Sequence, residues 1–323
     1  MSFPLFQRPG SIVFLDDDPD YLDMLAMVMP RRWPVRLYLR PAQCIHELRR
    51  EPPLWEIDAW NQQSIIDEWR QGKSLIPQIL EYWGRSASRF EFTRVLVVDY
   101  SMPGMDGLQV LDELAEWHGA RMLLTGQADE QVAVKAFNRG LIEQFVPKHL
   151  PDIGKRLIGV VDAMMAQPHA RHSQIWRATL KPEQTALLRA PEAQEALASF
   201  AADHWSEYIT LGDPFGILGL DDAGQVSWLQ LETREGLPAL AEVAEVAGLP
   251  LQALEQIRSG QKLAALELRQ ALGGTDAPTL EPAISIGPDV LAALFKVGAD
   301  HLPASIASHR DWLASLPTRH VQE

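Results

Sequence analysis

Cysteine is almost absent from this sequence of 323 residues. The single Cys44 excludes a disulfide framework within the chain and any zinc cluster built from cysteines, and it fits a reducing compartment. Long hydrophobic runs are missing too. No apolar stretch approaches the ~20 residues that cross a bilayer, and the N-terminus lacks the basic start and the cleavage site of a signal peptide. We therefore expect a cytoplasmic protein without a membrane partner.

Positive charge is in deficit, with 29 Lys and Arg against 43 Asp and Glu and a net charge of −14. The C-terminal half is the more acidic. Non-specific affinity for nucleic acid comes from Lys and Arg that displace counterions from phosphates, so the charge argues against a nucleic-acid partner. The sequence also lacks the phosphate-binding loop G-x-x-x-x-G-K, the zinc motif H-E-x-x-H and a cyclic-dinucleotide synthase signature. We expect that the protein is not an enzyme.

What is present is an ordinary globular composition, 46% hydrophobic and 22% charged, in a chain long enough for two domains. In the first half, short apolar stretches alternate with amphipathic stretches of helical spacing. The predicted strands are Ser11–Leu15, Val35–Leu39, Arg94–Val98, Arg121–Leu124 and Gln144–Val146. Because strands without polar alternation are covered on both faces, the pattern predicts an α/β fold with a doubly wound, five-stranded parallel sheet.

A segment too long for a normal crossover, about residues 51–92, separates the second predicted strand from the third. It carries four of the ten tryptophans: Trp55, Trp60, Trp69 and Trp83. Their near-helical spacing favours a helical subdomain packed on the sheet. The alternative is a tryptophan-rich surface that docks a partner. We expect this insertion to be an ordered part of the N-terminal domain.

The second half of the chain has a different pattern. Residues 166–209 are predicted to form a helical linker, which includes His169 and His172, and residues 210–323 an α+β domain. The two histidines lack the partner spacing of a metal site, so we interpret them as solvated. Apolar stretches on both sides of Asp221–Gly224 predict a β-hairpin, so Asp221 and Asp222 are interpreted as turn residues rather than as catalytic carboxylates. Residues 289–297 are predicted to be helical.

Acidic side chains follow the ends of two predicted strands. Asp16, Asp17 and Asp18 come after the first strand, and Asp99 follows the third. Because ligands bind at the carboxyl ends of parallel strands, these carboxylates should converge on one edge of the sheet. Clustered carboxylates repel one another and favour a hard divalent cation, and Mg²⁺ takes one or two of them together with phosphate oxygens. The sequence therefore predicts a Mg²⁺ site at this edge.

Two more side chains belong to the same edge. Thr125 ends the fourth predicted strand, and Lys148 follows the fifth. A hydroxyl donor and a cation beside clustered carboxylates complete a site for a phosphoryl group carried on a carboxylate.

Four motifs at strand ends occur in the order that is found in one known family: Ile12-Val-Phe-Leu-Asp-Asp-Asp-Pro19, Leu96-Val-Val-Asp-Tyr-Ser-Met-Pro-Gly-Met-Asp-Gly107, Leu123-Leu-Thr-Gly126 and Phe145-Val-Pro-Lys148. Over residues 10–165 the sequence resembles the receiver domain of two-component response regulators, which has a flavodoxin-like fold. The resemblance implies a phosphorelay protein that takes a phosphoryl group from a cognate histidine kinase, and it implies a role for each motif residue. The implied site consists of the phosphoacceptor Asp99, the Mg²⁺ ligands Asp16, Asp17 and Asp99, and the phosphoryl-binding and switch residues Thr125, Lys148 and Phe145.

The sequence departs from the family pattern in two places. The insertion lengthens the spacing between the acidic pair and the acceptor, and Pro147-Lys148-His149 replaces the usual Lys-Pro peptide, so the family's cis peptide after the lysine does not carry over to Lys148 and the loop geometry there is open. Asp18 is open to two interpretations, a helix cap or a metal contact. With its insertion and its second half, the whole chain is similar to the atypical response regulators of Lqs-type quorum-sensing systems, and we expect a homodimer.

The output of residues 210–323 is open between two classes. Apolar and glycine spacing near residues 240–260 fits a helix-turn-helix, which favours a DNA-binding transcriptional regulator. However, the exposed positions of the second helix would present Gln252, Glu255, Gln256 and Arg258, of which only one is basic. The favoured hypothesis is a non-catalytic regulatory domain that binds a protein partner.

Overall fold

The computed structural model describes residues 3–126, 130–167, 170–275, 277–317, 319 and 321–322. Its strands are β1 Phe6–Gln7, β2 Ser11–Leu15, β3 Val35–Tyr38, β4 Thr93–Asp99, β5 Ala120–Thr125, β6 Gln144–Pro147, β7 Glu207–Gly212, β8 Phe215–Leu220, β9 Val226–Thr233, β10 Lys262–Ala264, β11 Leu280–Pro282, β12 Ile284–Ser285, β13 Val290–Lys296 and β14 Val321–Gln322.

Its helices are α1 Pro19–Val28, α2 Pro41–Leu48, α3 Glu51–Arg70, α4 Leu75–Arg85, α5 Gly107–Glu113, α6 Glu130–Asn138, α7 Ile153–Met165, α8 Ala170–Arg177, α9 Pro182–Arg189, α10 Pro191–His204, α11 Leu237–Val246, α12 Leu251–Arg258, α13 Leu266–Ala271 and α14 His309–Ser315. Within the described part of the chain, no helix is long and apolar enough to span a membrane.

The chain divides into two compact units. The parallel-sheet unit comprises Pro9–Asp58, Ser88–Gln167 and Trp312–Glu323. The antiparallel-sheet unit comprises Met1–Arg8, Ala59–Ala87 and Pro168–Asp311. Each unit is therefore assembled from three separate stretches of sequence.

The parallel-sheet unit contains the predicted five-stranded sheet, in the order β3-β2-β4-β5-β6 with all pairs parallel. Successive residues of β2 lie in two different hydrophobic clusters: Val13 and Leu15 in one, Ile12 and Phe14 in the other. The sheet is thus buried on both faces, which explains why its strands read as continuous apolar runs. The flavodoxin-like fold predicted from the sequence is confirmed for this unit. The short strand β14 pairs in parallel with β3 and adds an edge that the sequence did not predict.

The first turns of α3 belong to the parallel-sheet unit because Glu51 is bound there. This buried carboxylate accepts hydrogen bonds from the Thr93 hydroxyl at 2.6 Å and from the Trp117 indole at 3.0 Å. It also pairs with the Arg36 guanidinium at 2.7 Å. A buried carboxylate is stable only when it is paired and hydrogen-bonded, and Glu51 meets both conditions.

The antiparallel-sheet unit is built on a sheet in the order β1-β7-β8-β9-β13-β12, with all pairs antiparallel. The predicted hairpin is confirmed as β8 and β9, and the Asp221 carboxylate in its turn accepts hydrogen bonds from the backbone N–H groups of Ala223 and Gln225. The predicted helix at residues 289–297 is wrong, because β13 lies there and pairs with β9 along its full length. Partners on the sheet override the helix propensity of its Leu and Ala residues.

The insertion is helical, as predicted, but most of it does not belong to the parallel-sheet unit. Residues 59–87 pack in the antiparallel-sheet unit, where Trp83 is fully buried and its indole donates to a Glu207 carboxylate oxygen at 3.0 Å. The Trp176 indole donates to the Gln62 amide oxygen at 2.7 Å in the same core. We correct the expected assignment accordingly: the apolar faces of α3 and α4 complete the core of the second unit.

Two predicted domain boundaries also need correction. Residues 170–209 do not form a linker, because α8, α9 and α10 belong to the antiparallel-sheet unit and bury Trp176 and Leu197 completely. His172 is buried there and stacks on Phe6, so it is not solvated, whereas His169 lies outside the described residues. The last stretch, Trp312–Glu323, belongs to the parallel-sheet unit rather than to the C-terminal domain.

Candidate functional site

The carboxyl ends of the central strands bring together most of the predicted site. Asp16 and Asp17 directly follow β2, Asp99 ends β4 and Lys148 directly follows β6. Since β2, β4, β5 and β6 are neighbours in one parallel sheet, their ends meet at one edge.

Two buried carboxylates at this edge share one cation. The Lys148 Nζ lies 2.6 Å from an Asp16 carboxylate oxygen and 2.8 Å from an Asp99 carboxylate oxygen. Asp16 and Asp99 are 1% and 4% exposed, whereas Asp17 is exposed to solvent. Oxygen atoms of Asp16, Asp17 and Asp99 lie within 4.8 Å of one another. Three oxygen donors at this spacing, one of them open to water, suit a hard divalent cation that keeps part of its hydration shell.

The site carries more negative than positive charge. Burial raises the pKa of the Asp16 carboxyl to about 6; the hydrogen bond and charge of Lys148 oppose this shift, and the negative charge of Asp99 adds to it. Burial lowers the pKa of Lys148, but hydrogen bonds to Asp16 and Asp99 and their charges outweigh it, so the net pKa is raised. Lys148 is thus held protonated between two carboxylates that repel each other, an arrangement that a further cation would stabilise.

The Thr125 hydroxyl indicates which group the site can bind. Thr125 ends β5, is fully buried, and its hydroxyl is without a hydrogen-bond partner among the residues that the structure describes. A buried hydroxyl without a partner costs about 1–3 kcal/mol. A phosphoryl group on a neighbouring carboxylate would offer an acceptor for it, so the residues present fit both Mg²⁺ and a phosphoryl group.

The predicted switch residue Phe145 lies on a face of the sheet. It lies on β6 opposite Leu123 of β5, is half-buried, and packs against the hydrophobic cluster that contains Val13 and Leu96. The structure therefore places the predicted switch aromatic on a face of the sheet and not at the acidic edge.

Local structure explains why the acceptor loop carries glycine and acidic residues. A Cβ atom on Gly107 would lie 2.5 Å from the backbone oxygen of Asp99, so only glycine lets α5 start this close to the acceptor. Asp106 caps α5 by accepting a hydrogen bond from the Gln109 backbone N–H. Asp18 caps α1 in the same way, so of its two interpretations the structure supports the helix cap.

One contact at the site escaped the sequence reasoning. Tyr21 lies on the first turns of α1, and the Lys148 Nζ lies 4.7 Å from the centre of its ring. Burial and the charges of Asp16 and Asp99 raise the pKa of its phenol. Helical spacing gave no signal for this contact, because Asp17 lies before the start of α1 and Lys148 is far away in sequence. The peptide bond after Lys148 is trans.

No protein-family model matches the chain, and no curated protein is significantly similar to it. Among solved structures, the response regulator LqsR of Legionella pneumophila is similar with a TM-score of 0.73 and 21% identity, and the match covers 98% of each chain. A response regulator receiver domain protein of Clostridium thermocellum matches 48% of this chain and 94% of its own, at 14% identity and a TM-score of 0.30. The structure described as FixJ-N matches 52% and 96%, at 17% identity and a TM-score of 0.33.

The similarity to LqsR extends through both units and not only through the parallel sheet, since it covers nearly all of the chain. It confirms, at the level of the fold, the resemblance to Lqs-type response regulators. The chain therefore has the fold of the response regulator LqsR along almost its whole length.

Proposed function

We propose that this chain is a response regulator of a two-component phosphorelay, in which Asp99 accepts a phosphoryl group from a histidine kinase and Asp16, Asp17 and Asp99 hold Mg²⁺. The observation that carries the proposal is the shared edge where Lys148 bridges two buried carboxylates, beside a Thr125 hydroxyl that has no hydrogen-bond partner among the described residues. An ion pair that is only structural does not explain why the Thr125 hydroxyl lacks a partner among the described residues, whereas a transient phosphoryl group would supply its acceptor.

The chemistry assigns a role to each residue. A carboxylate oxygen of Asp99 attacks phosphorus, a P–O bond forms, and the P–N bond to the donor imidazole breaks while the imidazole nitrogen takes up a proton. When bound, Mg²⁺ neutralises the phosphoryl oxygens that would otherwise repel the attacking carboxylate. Lys148 exchanges part of its contact with Asp99 for a phosphoryl oxygen, and Thr125 donates its hydroxyl hydrogen to another.

The switch proposed for this site runs through β5 and β6. Phosphorylation adds about −1.5 to −2 charge at Asp99, which draws the Thr125 hydroxyl inward and opens space for the half-buried Phe145 ring. Helix α6, between these strands, exposes Val134 and Phe137 at 46% and 49%. Apolar side chains exposed on one helix support a dimer contact on this face.

For the antiparallel-sheet unit we propose a non-catalytic regulatory role through a protein partner. The helix pair of the DNA-binding alternative does form, as α11 and α12. Its charge does not favour phosphate contact, because Arg258 pairs with Glu245 at 3.8 Å and Glu255 is exposed on the same helix. Binding of mixed-sequence duplex DNA at low salt, weakened by Arg258→Ala, would favour the DNA-binding alternative instead.

Phosphorylation is tested with acetyl phosphate and Mg²⁺, followed by intact-mass spectrometry. We expect one added phosphoryl group in the wild type, none with EDTA and none in Asp99→Asn. The matched control is Asp18→Asn, which makes the same Asp-to-Asn substitution at a residue beside the site. It keeps the helix cap, since Asn caps helices about as well as Asp. Equal labelling of Asp99→Asn and Asp18→Asn would reject the proposal.

A further inference from the structure

A cavity of about 540 Å³ lies in the parallel-sheet unit, away from the acidic edge. Ser11 and Val35 line it, and they are the first residues of β2 and β3. The acidic edge lies at the other ends of the same strands, roughly 15 Å away for a strand of this length. The volume is within the range of small-molecule sites, about 300–1,000 Å³.

The cavity carries positive charge in a protein of net charge −14. Arg31, Arg36 and Arg319 line it against one carboxylate, Glu91. Arg36 is neutralised by its ion pair with Glu51, but Arg31 is without a carboxylate partner in the part of the chain that the structure describes. Arg31 therefore brings an unpaired guanidinium to this space, and Arg319, whose terminal nitrogens donate to backbone oxygens, adds a positive charge beside it. The two groups carry like charges: burial lowers the pKa of Arg319, and the nearby charge of Arg31 lowers it further.

The rest of the lining is apolar and partly aromatic. Trp33 is buried, while Trp312, Leu313 and Leu316 are half-buried along the cavity. The Trp312 ring is fixed by Phe90, with ring centres 5.5 Å apart. Rigid aromatic walls bind flat or chain-like apolar groups at low entropic cost.

We propose that this cavity binds a small amphiphilic anion, with its acidic head group paired with Arg31 and attracted by the charge of Arg319, and its apolar body against Trp33, Trp312 and Leu316. A guanidinium group without a partner becomes paired when an anionic head group binds, and repulsion between the two arginines is relieved at the same step. A neutral ligand would gain only the apolar contacts, so the site discriminates by charge.

Ligand binding would also stabilise the position of the C-terminal segment that lines the cavity. The Arg319 guanidinium donates hydrogen bonds to the backbone oxygens of Ala26, Met29, Pro30 and Trp33, and β14 follows it. Trp312, Leu316 and Arg319 contribute to the cavity from this terminal segment, while Trp33 and Arg31 contribute from the segment after α1. A ligand that contacts both sides holds them together, so the terminal segment should open less often when the cavity is filled.

The test uses two probes of nearly the same shape, 2-naphthoate and its neutral counterpart 2-naphthamide. Calorimetry on the full chain should show saturable one-to-one binding of 2-naphthoate and at least about tenfold weaker binding of 2-naphthamide. Hydrogen exchange in residues 312–322 should slow when 2-naphthoate is present at saturation. Since the cavity is independent of the phosphoryl site, Asp99→Asn should bind 2-naphthoate as well as the wild type does.

Two neighbouring arginines give the matched variants. Arg31→Ala should weaken 2-naphthoate about tenfold and leave 2-naphthamide unchanged. Arg32→Ala removes the same charge from the next residue, which does not line the cavity, pairs with Asp162 at 3.2 Å and lies over the Trp33 ring; it should affect both probes alike, and 2-naphthoate less than Arg31→Ala does. The inference is overturned if neither probe binds, if both bind equally, or if Arg31→Ala and Arg32→Ala have the same effect.

Discussion

At the scale of single residues, Glu232 shows how the burial of a carboxyl group affects stability. It lies on β9 beside a cavity of about 650 Å³ that Glu267 and Arg269 also line. Burial raises the pKa of the Glu232 carboxyl to about 7; the Thr233 backbone N–H opposes this shift, and the charge of Glu267 adds to it. In the unfolded chain the pKa returns to its ordinary value near 4.5. Between these two values the folded unit holds a proton that the unfolded chain has released.

We therefore expect the antiparallel-sheet unit to lose stability as the pH rises from about 4.5 to about 7. The stabilising proton is fully bound below the unfolded pKa and is lost as the pH passes the folded pKa. The loss should be roughly 1–3 kcal/mol. Glu232→Gln should reduce this dependence and raise the free energy of unfolding at pH 8; Glu267, whose pKa is also raised by desolvation, supplies the remainder. Hydrogen exchange of β8 and β9, compared between variant and wild type at each pH, measures it.

The control for this prediction is Glu242→Gln on α11, which neutralises an exposed carboxyl of the same unit. It should leave the pH dependence unchanged. Asp16 also has a raised pKa, but it lies in the parallel-sheet unit. Hydrogen exchange measured in β8 and β9 therefore reports the effect of Glu232 on stability and not that of Asp16. A wild type with equal protection of β8 and β9 at pH 5 and pH 8 would contradict the prediction.

Most of the candidate site could be predicted from the sequence at this scale. Asp16, Asp99 and Lys148 each follow an apolar strand, and strand ends are recognisable in sequence, so their convergence was predictable. The Lys148 contact with the Tyr21 ring was not predictable, because it depends on the orientation of α1 relative to the sheet. The unpartnered state of the Thr125 hydroxyl also depends on neighbours that only the fold supplies.

At the scale of elements, the Arg319 side chain connects the terminal segment after α14 to the end of α1. The guanidinium of Arg319 donates to four backbone oxygens around the end of α1, where the helix leaves carbonyl groups without intrahelical partners. The strand β14 follows two residues later and pairs with β3. The Arg319 fork thus joins a helix end to a strand added from the far end of the sequence.

We expect Arg319→Ala to lower the stability of the parallel-sheet unit by about 1–3 kcal/mol, because four carbonyl groups lose a charged donor. Exchange should rise in residues 312–322 and at the end of α1. Arg319→Lys keeps the charge but cannot form the planar fork, so it should restore little. Arg31→Ala, which removes a neighbouring arginine without these bonds, is the control. Native-like exchange of residues 312–322 in Arg319→Ala would refute this role.

Sequence patterns predicted elements well where both periodicity and turn residues were present. The hairpin of β8 and β9 was predictable because a short turn separates two apolar stretches. Val290–Lys296 was not, because its Leu and Ala residues favour a helix and its strand state depends on pairing with β9. The two-residue strand β14 carries too little pattern to be detected at all.

At the scale of the whole molecule, each unit includes residues from both halves of the chain. Residues 59–87 lie between strands of the parallel-sheet unit in sequence, yet they form part of the antiparallel-sheet core. Deleting the insertion would therefore remove core residues of the second unit, and not only a surface of the first. An effect of such a deletion on kinase recognition could not be separated from unfolding.

Two tryptophans of the insertion test this assignment. Trp83→Ala should destabilise the antiparallel-sheet unit by about 3–5 kcal/mol, because the indole is fully buried and donates to Glu207. Trp60→Ala, at a residue that is 68% exposed, should change stability by no more than about 0.5 kcal/mol. Hydrogen exchange resolved by segment should show the Trp83 effect in β7 to β9 and not in β2 or β4. The opposite distribution would return the insertion to the parallel-sheet unit.

Domain boundaries were the least predictable feature of this chain. Periodicity reports whether a helix has an apolar face, as it did for α4, but not which sheet that face covers. The same limit applies to α8, which reads as a linker helix by its position and buries Trp176 in the second core. Assignment to a unit depends on contacts between residues far apart in sequence.

The central claim, that Asp99 is the phosphoacceptor, is tested most directly by locating the acyl phosphate in the chain. The protein is treated with acetyl phosphate and Mg²⁺, reduced with borohydride, which converts an aspartyl phosphate to homoserine, and sequenced by tandem mass spectrometry. The account predicts homoserine at position 99 alone, and none after treatment with EDTA. Homoserine at Asp16, Asp17 or any other position, or no homoserine with Mg²⁺ present, would contradict it.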